Sequence, residues 1–252
     1  MGLYDLAGQS ISQTSLGPEG VTPSIKDLSA TGAQMAGALK RTSMRIVGMG
    51  LTGNDDVLAM MGRHDPGTNM TIRSYSNVEA KAVREAASNY AEGVSLLYLH
   101  IGERVSGAFV TNDLVRWTTT DIGHPAVPYA ASTECSCGST SCLQCIADAS
   151  TYPKSEREKH AVALRRIGKN LGSGATALIS LLVPDRLVID SPWNGSEHLL
   201  AGLREWVYGR VSAAAAQGII ISYPAPFQGE APDTAASCLI YEILSRQTID
   251  GM

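Results

Sequence analysis

The chain has 252 residues, a formal net charge of −4, 44% hydrophobic residues and 17% charged ones. This is enough for one or two domains with a sizeable core, and it excludes an overall basic field of the kind that draws nucleic acid. No apolar run reaches the roughly 18 residues that span a bilayer. The first residues, MGLYDLAGQS, have neither a basic start nor an apolar signal core, so a soluble, cytoplasmic protein with no membrane partner is expected.

Taken in order, residues 2–6 and 10–16 read as a hairpin. Residues 24–41 carry helical apolar spacing through Ile25, Leu28, Met35 and Leu39. Residues 44–49 form a short apolar strand. Gly48, Gly50 and Gly53 crowd its end, where a backbone often approaches a ligand closely. Residues 70–75 read as a strand and 78–92 as a helix. Residues 94–101 and 105–111 form a β-rich hairpin, with 114–117 as a third strand. After a cysteine-rich loop, 155–182 is helical, with Gly168, Gly172 and Gly174 as interruptions. A strand at 186–189, a helix at 196–216, a strand at 218–222 and a helix at 234–245 complete the chain. Alternation of this kind favours an α/β fold, with sheets covered by helices.

The loop CSCGSTSCLQC holds Cys135, Cys137, Cys142 and Cys145; the one other cysteine is Cys238, on the last helix and expected in the core. Clustered cysteines in a reducing compartment point to metal before disulfides. Gly138 lets the backbone turn between them. His124 lies upstream, and one imidazole with three thiolates makes a closed tetrahedral zinc site. Such a site leaves no position for water, so the zinc of His124, Cys135, Cys137 and Cys142 is expected to be structural. Cys145 is a spare thiol, expected to begin a helix and face the core, with a place among the ligands as the alternative.

His124 with Cys135, Cys137, Gly138, Cys142 and Leu143 resembles the zinc signature of the ROK family of bacterial sugar kinases and sugar-responsive repressors. The likeness runs along nearly the whole chain. Tyr4-Asp5-Leu6-Ala7-Gly8 resembles the family's second strand and turn. Val47 to Gly53 resembles its glycine-rich strand end near the sugar, and Pro184 to Ile189 the strand near the nucleotide. The resemblance implies an actin-like ATPase (ribonuclease H-like) fold with two lobes, in a homodimer. A truncated N-terminal lobe is expected at 1–92, and a C-terminal lobe at 93–252 with its zinc loop at 122–146.

The departures from that pattern decide the expected activity. The family's first strand and Asp-x-Gly-x-Thr phosphate turn have no counterpart here. Alignment of 76–82 on Ala80, Ala82 and Glu85 puts Asn77 where the family has its catalytic aspartate. A neutral amide cannot take the proton of a sugar hydroxyl. In the second phosphate turn, Arg104, Ser106 and Ala108 stand where the family has glycines that let backbone N–H groups reach phosphate. After Ile189 the family's glycine pair is replaced by Asp190-Ser191-Pro192. Binding of ATP and magnesium is therefore not expected, and no catalytic residue is assigned.

The sugar side is changed more gently. The family's glutamate before the zinc histidine is Asp121 here, and the one after the last zinc cysteine is Gln144. With Gly53, Ser76, Asn77 and His124 they form the expected ligand set, polar throughout apart from the glycine. His100 precedes the altered turn and is a candidate for the cleft, against the plainer role of a satisfied strand histidine. His64, Asp55 and Asp56 fit a surface loop, His160 and His198 exposed helix positions, and Trp193 either packing or the place of adenine. The expectation is a non-catalytic ROK-like protein that binds a sugar or similar small polar ligand in a transcription-related, regulatory role. It has no room for a DNA-binding domain before residue 3, so DNA contact requires a separate partner chain or implies a truncated one. The alternatives are an enzyme with a repurposed cleft, or a residual ATP-dependent sugar kinase using Asp121 or Glu79 as base.

Overall fold

The computed structural model describes residues 2–4, 10–13, 30, 34, 48–53, 71–90, 93–102, 104–111, 114–119, 122–128, 134–147, 157–226 and 239–240. The chain divides into two compact units, Met1–Arg84 with Phe227–Met252, and Glu85–Pro226. Expectations that rested on 24–41, on 234–245 as whole helices, and on Asp55, Asp56, His64, Asp121 and Cys238 lie outside the described residues.

In the first unit, β1 (Gly2–Tyr4) pairs antiparallel with β2 (Ser10–Gln13). Strand β3 (Gly48–Gly53) pairs parallel with β4 (Thr71–Ser76), Gly48 opposite Thr71 through to Gly53 opposite Ser76. The glycine-rich segment thus lies in a strand, and residues 44–47 before it lie outside the described residues. Helix α1 (Asn77–Asn89) follows β4 with no connecting residue. A capping box explains the abrupt change. Glu79 Oε2 accepts the Ser76 N–H at 3.1 Å, and Ser76 Oγ accepts the Glu79 N–H at 3.3 Å. Two of the helix's first donors are satisfied at once.

The second unit is built on five strands in the order β7-β6-β5-β8-β9. These are β5 (Leu96–Ile101), β6 (Val105–Thr111), β7 (Leu114–Thr119), β8 (Arg186–Asp190) and β9 (Ile220–Ser222). The first three form an antiparallel meander; β8 and β9 add parallel to β5. Leu97, Leu99, Ile101, Val105, Leu187, Ile189 and Ile221 face one side, as the period of two requires. They bury against α3 (Arg157–Leu182) and α4 (Glu197–Tyr208) through Ile167, Leu171, Ile179, Leu199 and Leu203. The short α2 (Leu143–Ala147) joins the same core through Leu143 and Cys145.

Two expectations need correction. Helix α3 is continuous through Gly168, Gly172 and Gly174. These glycines are contact points: a Cβ at Gly168 would strike the Leu199 carbonyl, one at Gly172 would meet Trp206, and one at Gly174 would meet Leu143. Packing at that approach outweighs glycine's cost of about 1 kcal/mol in a helix. The helix expected at 196–216 is two helices. Helix α4 ends at Gly209, and Ser212 caps α5 (Ala213–Gly218), its Oγ accepting the Ala215 N–H. Alanine-rich periodicity hid the break. No described helix is long and apolar enough to cross a membrane.

Candidate metal centre and neighbouring polar sites

The cysteine loop is held by its backbone before any metal is considered. Gly138 donates to the Cys135 carbonyl at 2.8 Å, and Cys135 donates to the Ser139 carbonyl at 2.9 Å. The turn needs φ +82° at Gly138, the left-handed region that costs glycine little. The upstream segment lies alongside through an isolated antiparallel bridge, Ala126 with Cys142: Val127 donates to the Ser141 carbonyl at 2.7 Å, and Leu143 to the Pro125 carbonyl at 3.1 Å. These bonds bring His124 back to the cysteines.

The ligand atoms of His124, Cys135, Cys137 and Cys142 all lie within 4.8 Å of one another. Cys135 Sγ is 3.7 Å from His124 Nδ1, and Cys137 Sγ is 3.9 Å from Cys142 Sγ. Two thiolates each about 2.3 Å from a tetrahedral zinc stand roughly 3.8 Å apart, and a disulfide would need about 2 Å. The spacing fits one metal ion and no disulfide. The expected quartet is therefore brought together and could hold an ion such as zinc.

The three thiols do not shift together: Cys137, despite the Ser139 backbone hydrogen bond, is pushed upward by desolvation and by the neighbouring thiols, as Cys142 is, while Cys135 is held down. The Cys137 backbone N–H, helped by the Cys142 and Cys137 thiols and the Ser136 hydroxyl, holds the Cys135 thiol down at about 7 from an ordinary 9. Burial pushes the Cys142 thiol upward, a cost that a bound cation would reverse. Cys145 is buried in α2, as expected of the spare thiol. Its Sγ lies 3.2 Å from the Cys142 carbonyl and 3.7 Å from Cys142 Sγ, and it stands outside the four-ligand group.

Gln144 connects this loop to the β5–β6 turn. Its Oε1 accepts the Val105 N–H at 2.8 Å, and its own N–H donates to the Gly123 carbonyl. Gly123 has to be small, since a Cβ there would meet the Gln144 side chain at 2.5 Å. Within the turn, Gly102 donates to the Arg104 carbonyl at 3.2 Å. After β8, the Ser191 N–H donates to Asn194 Oδ1 at 2.9 Å, and Trp193 packs on the core. In the first unit, Gly53 ends β3, Ser76 is the cap of α1 and Asn77 is exposed in its first turn.

Among the other candidates, His100 is a paired strand residue, with Nδ1 2.9 Å from Asp190 Oδ2. His198 is exposed, as expected; His160 is half-buried. Two polar features were missed. The Ser-x-x-Glu cap at 76–79 is readable as a local motif. The buried Glu85, which accepts from the Tyr90 hydroxyl at 2.8 Å, leaves no such trace.

No family model matches the chain and no curated protein matches it. Solved structures do. A ROK family transcriptional regulator, a homologue of the Escherichia coli MLC protein, aligns at a TM-score of 0.65 and 15% identity, over 98% of this chain and 77% of its own. The ROK hexokinase of Thermus thermophilus aligns at 0.65 and 18%, over 97% and 94%. A ROK family protein of Streptococcus pneumoniae, solved in complex with sucrose, aligns at 0.58 and 12%, over 98% and 94%. The chain has the actin-like ATPase fold that these proteins share.

Proposed function

We propose that this chain is a degenerate ROK-family protein that binds a sugar or a similar small polar ligand in a regulatory role, with kinase chemistry lost. The fold and the histidine–cysteine quartet support the family; its solved relatives include both a regulator and a hexokinase. The zinc held by His124, Cys135, Cys137 and Cys142 is structural in this reading, because four protein ligands close the coordination sphere. It would supply stability and no reaction step.

The observation that carries the loss of phosphoryl transfer is where the turn donors point. In the 102–105 turn the Gly102 N–H is spent on the Arg104 carbonyl and the Val105 N–H on Gln144. After β8 the Ser191 N–H is spent on Asn194. A phosphate cradle needs such N–H groups converging outward. Asn77 adds a second defect, since an amide offers no basic oxygen at the position aligned with the family's aspartate. Glu79 is a poor substitute base, because its carboxylate completes the cap of α1.

Gly53, Ser76, Asn77, Asp121, His124 and Gln144 are the proposed ligand residues. A homodimer and a separate DNA-binding chain are the proposed partners, in the cytoplasm. Titration calorimetry with hexoses, amino sugars and their phosphates, each with and without MgATP, tests the function. Binding of one sugar independent of ATP and without a phosphorylated product supports it. ATP binding with sugar phosphate formed overturns it.

A further inference from the structure

Among the described cysteines, Cys145 is the one that the four-ligand group leaves out. It is buried on α2, and Cys142 just before it is buried too, at 5% and 1% exposure. Their sulfurs lie 3.7 Å apart, and the Cys145 thiol donates to the Cys142 carbonyl at 3.2 Å. Spacing explains the approach. Cys142 immediately precedes α2 and Cys145 is its third residue, and side chains three apart share one face of a helical turn. This Cys-x-x-Cys spacing is the one that opens and closes as a disulfide in thiol–disulfide exchange proteins. A disulfide of about 2 Å needs these sulfurs to close by roughly 1.7 Å, which side-chain rotation and a slight tightening of the turn supply.

The pair is connected to solvent through Cys137. That residue is exposed, and its Sγ is 3.9 Å from Cys142 Sγ. Cys137, Cys142 and Cys145 thus form a series of sulfurs from surface to core. The first two belong to the metal quartet. In a reducing compartment disulfides are transient, and they serve catalysis or redox sensing. We propose that this series is a hydroperoxide-sensitive switch, in which a Cys142–Cys145 disulfide forms and the metal site is dismantled.

The Cys137 thiolate attacks one oxygen of the hydroperoxide. The O–O bond breaks, Cys137 becomes a sulfenic acid, and the departing oxygen leaves as an alcohol, or as water, after taking up a proton. Cys142 then attacks the Cys137 sulfur; the S–O bond breaks, the hydroxyl leaves as water, and a Cys137–Cys142 disulfide forms. Cys145 gives up its proton and attacks the Cys142 sulfur. The S–S bond to Cys137 breaks, and Cys137 leaves with the electron pair and takes up a proton. In balance, the Cys142 and Cys145 thiols lose two hydrogens and the hydroperoxide gains two electrons. The exchange runs inward because Cys142–Cys145 is the buried bond, and exposed disulfides are the more easily reduced. With Cys142 bonded to Cys145 the quartet keeps three ligands, and metal affinity falls. Gln144 lies between the two cysteines and accepts the Val105 N–H at 2.8 Å, so the tightened turn also pulls on the β5–β6 connection.

Hydrogen peroxide is the probe, added to the zinc-loaded full chain beside a chromophoric zinc chelator. Cys135, Cys137, Cys142 and Cys145 all lie on the tryptic peptide 117–154. Free thiols are therefore alkylated with one reagent before reduction and the rest with a second after it, and fragmentation of that peptide assigns each label. About one zinc per chain is expected to leave, with Cys142 and Cys145 carrying the second label and Cys135 and Cys137 the first. Dithiothreitol with added zinc should restore both thiols and metal. Cys145→Ala should start with its metal in place, lose the inner disulfide and stop at Cys137–Cys142. An oxidised parent chain in which Cys145 still carries the first label overturns the proposal. So does zinc release with sulfinic or sulfonic acid and no disulfide. Labelling of the parent chain decides by itself, so the test survives a Cys145→Ala variant that fails to fold. Neither readout depends on which ligand the chain binds.

Discussion

The Glu85 carboxylate accepts the backbone N–H of Ala225 at 3.1 Å, across 140 residues of chain. Glu85 is the first residue of the second unit and Ala225 the last but one, so this bond fastens the two ends of that unit's chain to each other. The same oxygen accepts the Tyr90 hydroxyl at 2.8 Å, and Arg186 lies 4.3 Å from the centre of the Tyr90 ring. A buried carboxylate is tolerated here because two donors meet it.

Glu85→Ala should therefore cost about 1–3 kcal/mol, the penalty for leaving buried donors without an acceptor. Glu85→Gln, which keeps an acceptor oxygen, should cost less. Urea unfolding of the two variants checks the order. Equal stability of Glu85→Ala and the parent would mean that the clasp contributes nothing.

The tyrosines of this unit predict an alkaline limit. Burial, then the Glu85 carboxylate, pushes Tyr90 up to about 12, and burial with Glu197 does the same for Tyr223. An unfolded tyrosine ionises near pH 10, so the folded state holds its protons longer. The contribution is whole below about pH 10 and is lost as pH rises from about 10 to 12. Unfolding free energies measured over that window should fall. Tyr90→Phe should flatten the fall, since it removes one of the two groups.

The crossing of α3 and α4 makes a sharper test. A Cβ at Gly168 would strike the Leu199 carbonyl, and one at Gly202 the Arg165 carbonyl. Backbone cannot move aside as a side chain can. Gly168→Ala and Gly202→Ala should each destabilise by about 1–3 kcal/mol or more, although alanine is the better helix former. Gly218→Ala meets nothing within 4 Å and serves as the neutral control. Thermal melts that rank all three alike would show that the helices are further apart than described.

These glycines also mark what the chain's own pattern conveys and what it does not. Period-two and period-3.6 patterns place β5, β6, β8 and α1 to within a few residues, because each depends on neighbours in sequence. The metal quartet is legible for the same reason, since its ligands lie on one stretch with Gly138 at the turn. Gly168 reads as a helix breaker because its partner, Leu199, is on another helix. His100 is visible as a candidate, yet Asp190 is not visible as its partner, because strand register is set by the whole sheet. Ser76 shows the same tension in reverse: seen as a ligand residue, it is also the cap of α1.

Metal content distinguishes the cysteines. Cys137→Ala should lose the metal and lower the melting temperature, since it removes one of four ligands from a loop with little core of its own. Cys145→Ala should keep about one metal per chain, because Cys145 lies outside the ligand group. Elemental analysis with melting curves reads both. Full metal with a normal melt in Cys137→Ala would remove zinc from the account. Loss of metal in Cys145→Ala would make Cys145 a ligand.

In the function proposed above, Asn77→Asp separates a missing base from a missing phosphate site. The substitution restores a carboxylate in the exposed first turn of α1, where negative charge also suits the helix dipole, so the fold should tolerate it. A restored base alone is worth about 10²–10⁴ in rate, but only on a bound and positioned phosphate donor. The Gly102, Val105 and Ser191 N–H groups remain spent on internal acceptors in that variant. Coupled assays with the hexose panel and MgATP should therefore find no turnover in Asn77→Asp beyond the parent. Turnover would show that these turns reopen around nucleotide, and that Asn77 was the one defect separating this chain from a kinase.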